Sequence, residues 1–277
     1  MRFLLMLILG LFYGLCEFFP ISGCGIFYLI YSLSPSSLPT EDASLLFCFL
    51  NFGVLFSVVV YFTLNAPFEP EPEIGKRRRR KKTGNLLQNI PARVRPYFVL
   101  SLLPLFLAFF RIRSVLAVEK GHLLGVSLAF LLSGIALLAS FRFSRGGKNI
   151  SSLKTKEALV VGFGQLLSVF PGLSRVVSTL TCGLYCGLDY AFTLDYASLI
   201  SVPAYLAAAA LLFVRATELG LNWALVPGCF GAMFVSGLGG YCSIHLMKKV
   251  FRPENNRVFA LISLGLGALT LVLSMIR

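Results

Sequence analysis

Residues 157–187 read EALVVGFGQLLSVFPGLSRVVSTLTCGLYCG, and the fold turns on how this stretch enters a bilayer. It is long and apolar enough to do so, yet Pro171-Gly172 and then Arg175 stand in its middle. Proline removes a backbone donor and crowds the preceding turn, and glycine is a poor helix former, so a simple spanning helix is not expected. An arginine at that depth is costly unless something polar or anionic meets it. A second broken stretch, residues 3–31, opens the chain with Glu17, Pro20 and Ser22 at its centre. One break carries an acid and the other a base. They read as two halves of one site inside a membrane.

The composition agrees. Of 277 residues, 57% are hydrophobic and 13% charged, where a soluble domain would carry roughly 25% charged residues. Mean hydropathy is +0.81. We therefore expect a single integral membrane domain over residues 1–277. The net charge of +13 invites a nucleic-acid partner, but seven of the 25 basic residues form one run, Lys76 to Lys82, and most others lie in short connections. That is the distribution of cytoplasmic loops in a membrane protein, and no nucleic acid is expected. Seven cysteines are scattered without metal or disulfide spacing and read as small packing residues. The apolar start continues past Glu17 and Pro20 without a clear cleavage site, so it is expected to stay in the mature protein.

Clean apolar runs at 43–64, 97–116, 121–141, 189–213, 222–247 and 257–276 each approach the roughly 20 residues a bilayer requires. Loop 65–96 carries nine basic residues against Glu69, Glu71 and Glu73, and reads as a cytoplasmic loop on an anionic leaflet. Placing the 65–96, 142–156 and 248–257 connections inside puts 18 basic residues there and six outside. This works only if both broken stretches leave on the side they entered. The fold expected is thus an all-α polytopic membrane protein. It has six transmembrane helices plus two opposed re-entrant hairpins, 3–31 and 157–187, in an inverted repeat. The halves echo each other, with Gly14, Glu17, Pro20 and Ser22 answered by Gly164, Gln165, Pro171 and Ser174.

Arg175 is the sharpest candidate, because a guanidinium grips phosphate oxygens as a fork. Gly172 and Ser174 precede it at the start of a new helix, a natural anion site, with Ser178 and Thr179 a turn further on. The bland alternative is a salt bridge from Arg175 to Glu17 that locks the hairpins together. Glu17 could also hold a divalent cation shared with phosphate oxygens. Asp195 is deep in its span, Glu157 reads as interfacial, and neither His122 nor His245 lies in a broken segment.

With these residues in view, the chain resembles the bacterial undecaprenyl-diphosphate phosphatases of the bacitracin-resistance type. The likeness rests on LGLFYGLCEFFPISG (residues 9–23) and GFGQLLSVFPGLSRVVST (162–179), and continues weakly through 192–207. The resemblance implies a multi-pass enzyme of the bacterial cytoplasmic membrane, its site facing the periplasmic side. Such an enzyme removes the terminal phosphate of undecaprenyl diphosphate to recycle the envelope lipid carrier, with a divalent cation, Mg or Ca, as cofactor. Bilayer lipid is the other implied partner, with a homodimer left open. Matched onto the family motifs, Glu17, Ser22 and Arg175 are the catalytic candidates and Glu17 the metal ligand. Gly172, Ser174, Arg175 and Ser178 are the phosphate-binding candidates. Ser22, a water on the cation and Ser174 remain alternatives for the nucleophile. The chain departs from the family at Tyr13, Gly23, Cys24, Ile26 and Val176, where the family has glutamate, serine, threonine, histidine and serine. A non-catalytic protein of the same fold that binds or flips a polyprenyl phosphate is the second reading.

Overall fold

The computed structural model describes residues 2–33, 39–65, 92, 94–112, 123–140, 142, 146–149, 151–250 and 255–276. These form eleven α-helices: α1 Arg2–Glu17, α2 Gly23–Leu33, α3 Thr40–Asn65, α4 Arg95–Ser101, α5 Leu103–Ile112, α6 Leu123–Ser140, α7 Thr155–Leu167, α8 Arg175–Tyr185, α9 Tyr190–Leu219, α10 Val226–Val250 and α11 Asn256–Ile276. Among the described residues, five helices are long and apolar enough to cross a membrane: α3, α6, α9, α10 and α11. The expected span 97–116 differs. It is split into α4 and α5 around Leu102, whose N–H turns back to Val99 O at 3.1 Å. Pro104 cannot donate into a continuous ladder, which accounts for the interruption. Residues 113–116, His122 and most of the basic loop 65–96 lie outside the described residues.

α10 carries a seam of small residues, Gly228, Ala232, Ser236, Gly239, Gly240 and Ser243, against which α1 and α3 lie backbone to backbone. A Cβ at Gly10 would stand 2.6 Å from Ala232 O, and one at Gly14 would collide with Ser236 O. Serines on the seam close the contacts, Ser243 donating to Leu15 O at 2.7 Å and Ser236 to Leu50 O at 3.1 Å. Small residues are the usual means of bringing apolar helices this close.

The same contacts give directions. Phe49 meets Phe230 and Tyr61 meets His245, so α3 runs parallel to α10, as α1 does. Phe27 stacks on Phe47 at 4.7 Å, which Tyr13 of α1 also meets, so α2 turns back between two parallel helices. The second half repeats the figure. Ser101 ties Ala158 O of α7 to the Tyr196 hydroxyl of α9, and Gln165 reaches Ile200 O, so α7 and α9 are parallel. α8 returns between them, Gly183 against Thr193 and Arg175 against Tyr205. Lys248 joins Asp195 of α9 to the ring of Tyr61 on α3, while Tyr205 and Asn51 both reach α1, so α3 and α9 run antiparallel.

Each break is pinned from outside its own hairpin. Pro20 O accepts from Ser263 of α11 at 3.1 Å. Ser133 of α6 donates to Gly172 O at 3.3 Å and accepts from Ser174 N–H at 2.9 Å. Gly172 has φ +98°, left-handed backbone that favours glycine. The two breaks also touch, since a Cβ at Gly25 would stand 2.7 Å from Gly172 Cα. Because the α1–α10 seam admits no side chain, Gly14→Ala should lower the melting temperature of the purified protein by the equivalent of about 1–3 kcal/mol or more. Gly265→Ala, which faces open space, should leave it unchanged.

Candidate functional site

Each break ends on a serine that caps the returning helix. Ser22 Oγ accepts from Gly25 N–H at 3.1 Å, and Ser174 Oγ accepts from Val177 N–H at 3.4 Å. Such caps satisfy donors that the first helical turn leaves open. They fix where α2 and α8 begin, and so bring Glu17 and Arg175 face to face.

Arg175 Nη1 lies 3.6 Å from Glu17 Oε1, an ion pair too long for a hydrogen bond, with the two side chains 17% and 6% exposed. Tyr205 of α9 serves both partners. Its hydroxyl donates to Glu17 Oε1 at 3.1 Å, and its ring lies 4.0 Å beneath the guanidinium. A cation over an aromatic face gains electrostatic attraction that grows as water is excluded. Room for that carboxylate comes from Gly23, where a Cβ would stand 2.6 Å from Glu17 Oε2.

A cavity opens beside the pair, walled by Tyr13, Glu17, Ser22, Cys24, Asn51, Gln165, Ser168 and Arg175 on its polar side. Leu105, Ala204, Ala207, Ala208 and Leu211 form the apolar side. Leu105 and Ala207 also line a separate apolar groove completed by Leu102, Phe106 and Pro203, so the two cavities are neighbours across α5 and α9. A smaller cavity meets Arg175 and Tyr205 from the other end of α9, walled by Thr179, Ser198, Ser201 and Met247.

Of the residues singled out from sequence, Glu17, Ser22 and Arg175 line the main cavity. Gly172, Ser174 and Ser178 shape its support instead. Gly172 makes the left-handed turn, Ser174 caps α8, and Ser178 Oγ donates to Ser174 O and Arg175 O at 3.1 and 3.2 Å. Asp195 is paired with Lys248, and Glu157 with Lys148 at 2.9 Å. His245 packs between Tyr61 and Tyr241.

Two wall residues, Asn51 and Gln165, and Tyr205 beside the ion pair are not among the site candidates read from sequence. Asn51 accepts from the Tyr13 hydroxyl at 3.2 Å and donates to Phe47 O at 2.8 Å. A lone amide inside an otherwise apolar span was the available signal. Gln165 was visible upstream of the Pro-Gly break and donates to Ile200 O at 3.0 Å. Tyr205 carried no signal beyond its place two residues after Pro203.

Removing one partner of a buried pair strands the other charge, at ~3–5 kcal/mol. Arg175→Met should therefore lower stability sharply, whereas Arg175→Met with Glu17→Gln should recover much of the loss. Thermal unfolding of the four proteins in this cycle measures the coupling.

Comparison with known proteins identifies the family. The family model described as bacitracin resistance protein BacA matches residues 6–269. The undecaprenyl-diphosphatase of Thermosipho melanesiensis is 29% identical over 274 residues, spanning 98% of this chain and 99% of that protein. Undecaprenyl-diphosphatase 3 of Bacillus cereus is 27% identical over 286 residues, spanning 99% and 98%. The undecaprenyl-diphosphatase of Methanosphaera stadtmanae is 26% identical over 283 residues, spanning 98% and 97%. With the match running through both helix breaks and nearly every helix, the chain is a multi-span membrane protein that belongs to the BacA bacitracin resistance protein family.

Proposed function

We propose that the protein removes the terminal phosphate of undecaprenyl diphosphate in the bacterial cytoplasmic membrane, returning the lipid carrier to envelope synthesis. One observation carries the reading. A guanidinium with Nε and Nη1 lacking hydrogen-bond partners lines a polar cavity, and an apolar groove adjoins it at Leu105 and Ala207. Phosphate oxygens suit the first part and a prenyl chain the second. The relatives' names point to the same chemistry.

In this reading Arg175 grips the departing phosphate. Ser22 is the leading nucleophile: its Oγ already accepts from Gly25 N–H, which leaves its proton to be given up. The Oγ–P bond forms as the bridging P–O bond breaks, the prenyl monophosphate leaves, and Glu17, the one carboxylate among the described wall residues, takes the serine proton. A water then cleaves the Oγ–P bond, releasing inorganic phosphate as Glu17 returns the proton to Ser22. A water attacking in place of Ser22 uses the same base. A divalent cation, Mg or Ca, would supply charge neutralisation of the diphosphate when bound. Glu17 is the residue to hold it, and the remaining oxygens would come from the substrate, since Tyr13 is bonded to Asn51. Such positioning and electrostatic help form the bulk of phosphoryl-transfer catalysis.

The membrane arrangement we propose is six spans and two opposed re-entrant hairpins in an inverted repeat, with the site open to the periplasmic side. Support comes from α2 and α8 each turning back between parallel helices, and from the antiparallel α3 and α9. A second reading, binding or flipping without hydrolysis, draws on the smaller cavity that reaches Arg175 from the other side.

Purified protein with magnesium should release inorganic phosphate from a C55 diphosphate, and a chelator or Arg175→Ala should abolish release. Tyr13→Glu with Ile26→His should raise it. Translocation of the lipid in vesicles with no phosphate above a boiled control would favour the second reading. A reporter fused after residue 80 should read as cytoplasmic, and one fused after Arg277 as external.

A further inference from the structure

Three buried atoms at the main cavity lack a hydrogen-bond partner: Arg175 Nε, Arg175 Nη1 and Gln165 Oε1. Two are donors and the third only accepts. Gln165 is 1% exposed, and its orientation is fixed. Its Nε2 donates to Ile200 O at 3.0 Å, so turning the amide over would set oxygen against oxygen. The Ile200 carbonyl lies in the turn before Pro203, where the helix ladder is loosened and an outside donor is welcome. Gln165 lines the cavity with its amide oxygen left over, and a buried acceptor is costly until a donor arrives.

A fully ionised phosphate answers the guanidinium but sets lone pairs against the amide oxygen. A singly protonated phosphate answers both, accepting from Arg175 and donating its P–OH to Gln165. Charge favours the same species. Glu17 and Arg175 already neutralise each other, so without a cation every ligand charge is uncompensated where water is scarce. A cation is a poorer match for Gln165, whose own helix end brings only Ser168 and Val169 to the cavity. We propose that Gln165 reads the protonation state of the bound phosphate, and that the site takes the monoanionic hydrogen-phosphate end of a prenyl phosphate. The inference rests on the polyprenyl-phosphate reading above.

The test is binding of a C15 prenyl phosphate to the full-length protein in lipid nanodiscs, with chelator present, across pH 5.5 to 9. Affinity should be level below the ligand's second pKa of about 6 and fall about tenfold per pH unit above it. The matching prenyl phosphonate, with a higher second pKa, should show the same fall displaced upward by the difference between the two ligands. Glu17, Tyr13, Cys24 and Arg175 also line the cavity, with Tyr205 against Glu17 and Arg175, and all are common to both probes. Gln165→Met should bind about tenfold more weakly at pH 6 and flatten the profile. If that variant does not fold, the two-probe comparison on the wild type decides. Affinity that is independent of pH, that rises with pH, or that falls at one pH for both probes overturns the inference. Absence of binding at every pH overturns the polyprenyl-phosphate reading along with it.

Discussion

The structure depends on one buried charge pair. Neither Glu17 nor Arg175 would be stable alone at this depth, and each lies where a helix stops and restarts. The pair therefore requires both interruptions to meet, and the interruptions require outside support. Ser263 and Ser133 provide it by binding backbone groups of the first and second breaks, each from a helix of the other half. Tyr205 completes the arrangement by giving the carboxylate a donor and the guanidinium an aromatic face. Part of the guanidinium is left without a hydrogen-bond partner beside the cavity.

Much of the fold could be read from the chain because its decisive signals are local. Pro171-Gly172 beside Arg175, and Glu17 beside Pro20, announce interrupted apolar segments without knowledge of any neighbour. The spans at α3, α6, α9, α10 and α11 follow from length and apolarity alone. The split between α4 and α5 was harder to see, since 97–116 is apolar throughout and its single Pro104 is also compatible with a kinked span. Stability of a continuous helix there depends on packing against α7, where Ser101 is drawn to Ala158 O.

The site was legible only in part, for a related reason. Charge at a helix break marks Glu17 and Arg175, but a hydroxyl's direction is not written in its neighbours. Ser174 and Ser178 stand beside Arg175 in sequence and spend their oxygens on α8 itself. Asn51 and Gln165 become wall residues, and Tyr205 reaches the ion pair, only when α3, α7 and α9 converge. Tyr205 and Gln165 flank Pro203, one two residues beyond it and the other bonded to the turn before it, so a single proline organises two contributions.

Gly23 has a further consequence. The Glu17 carboxylate occupies the volume that a Cβ at this position would claim, and the Tyr13 carbonyl crowds it at 2.8 Å. A side chain there would drive the carboxylate off the start of α2 and away from its present rotamer. The missing methyl group thus biases the empty protein toward a self-neutralised resting form, in which acid and base occupy each other until a stronger anion competes. Acid and base are thus stored against each other by an absence of bulk, not by an added contact.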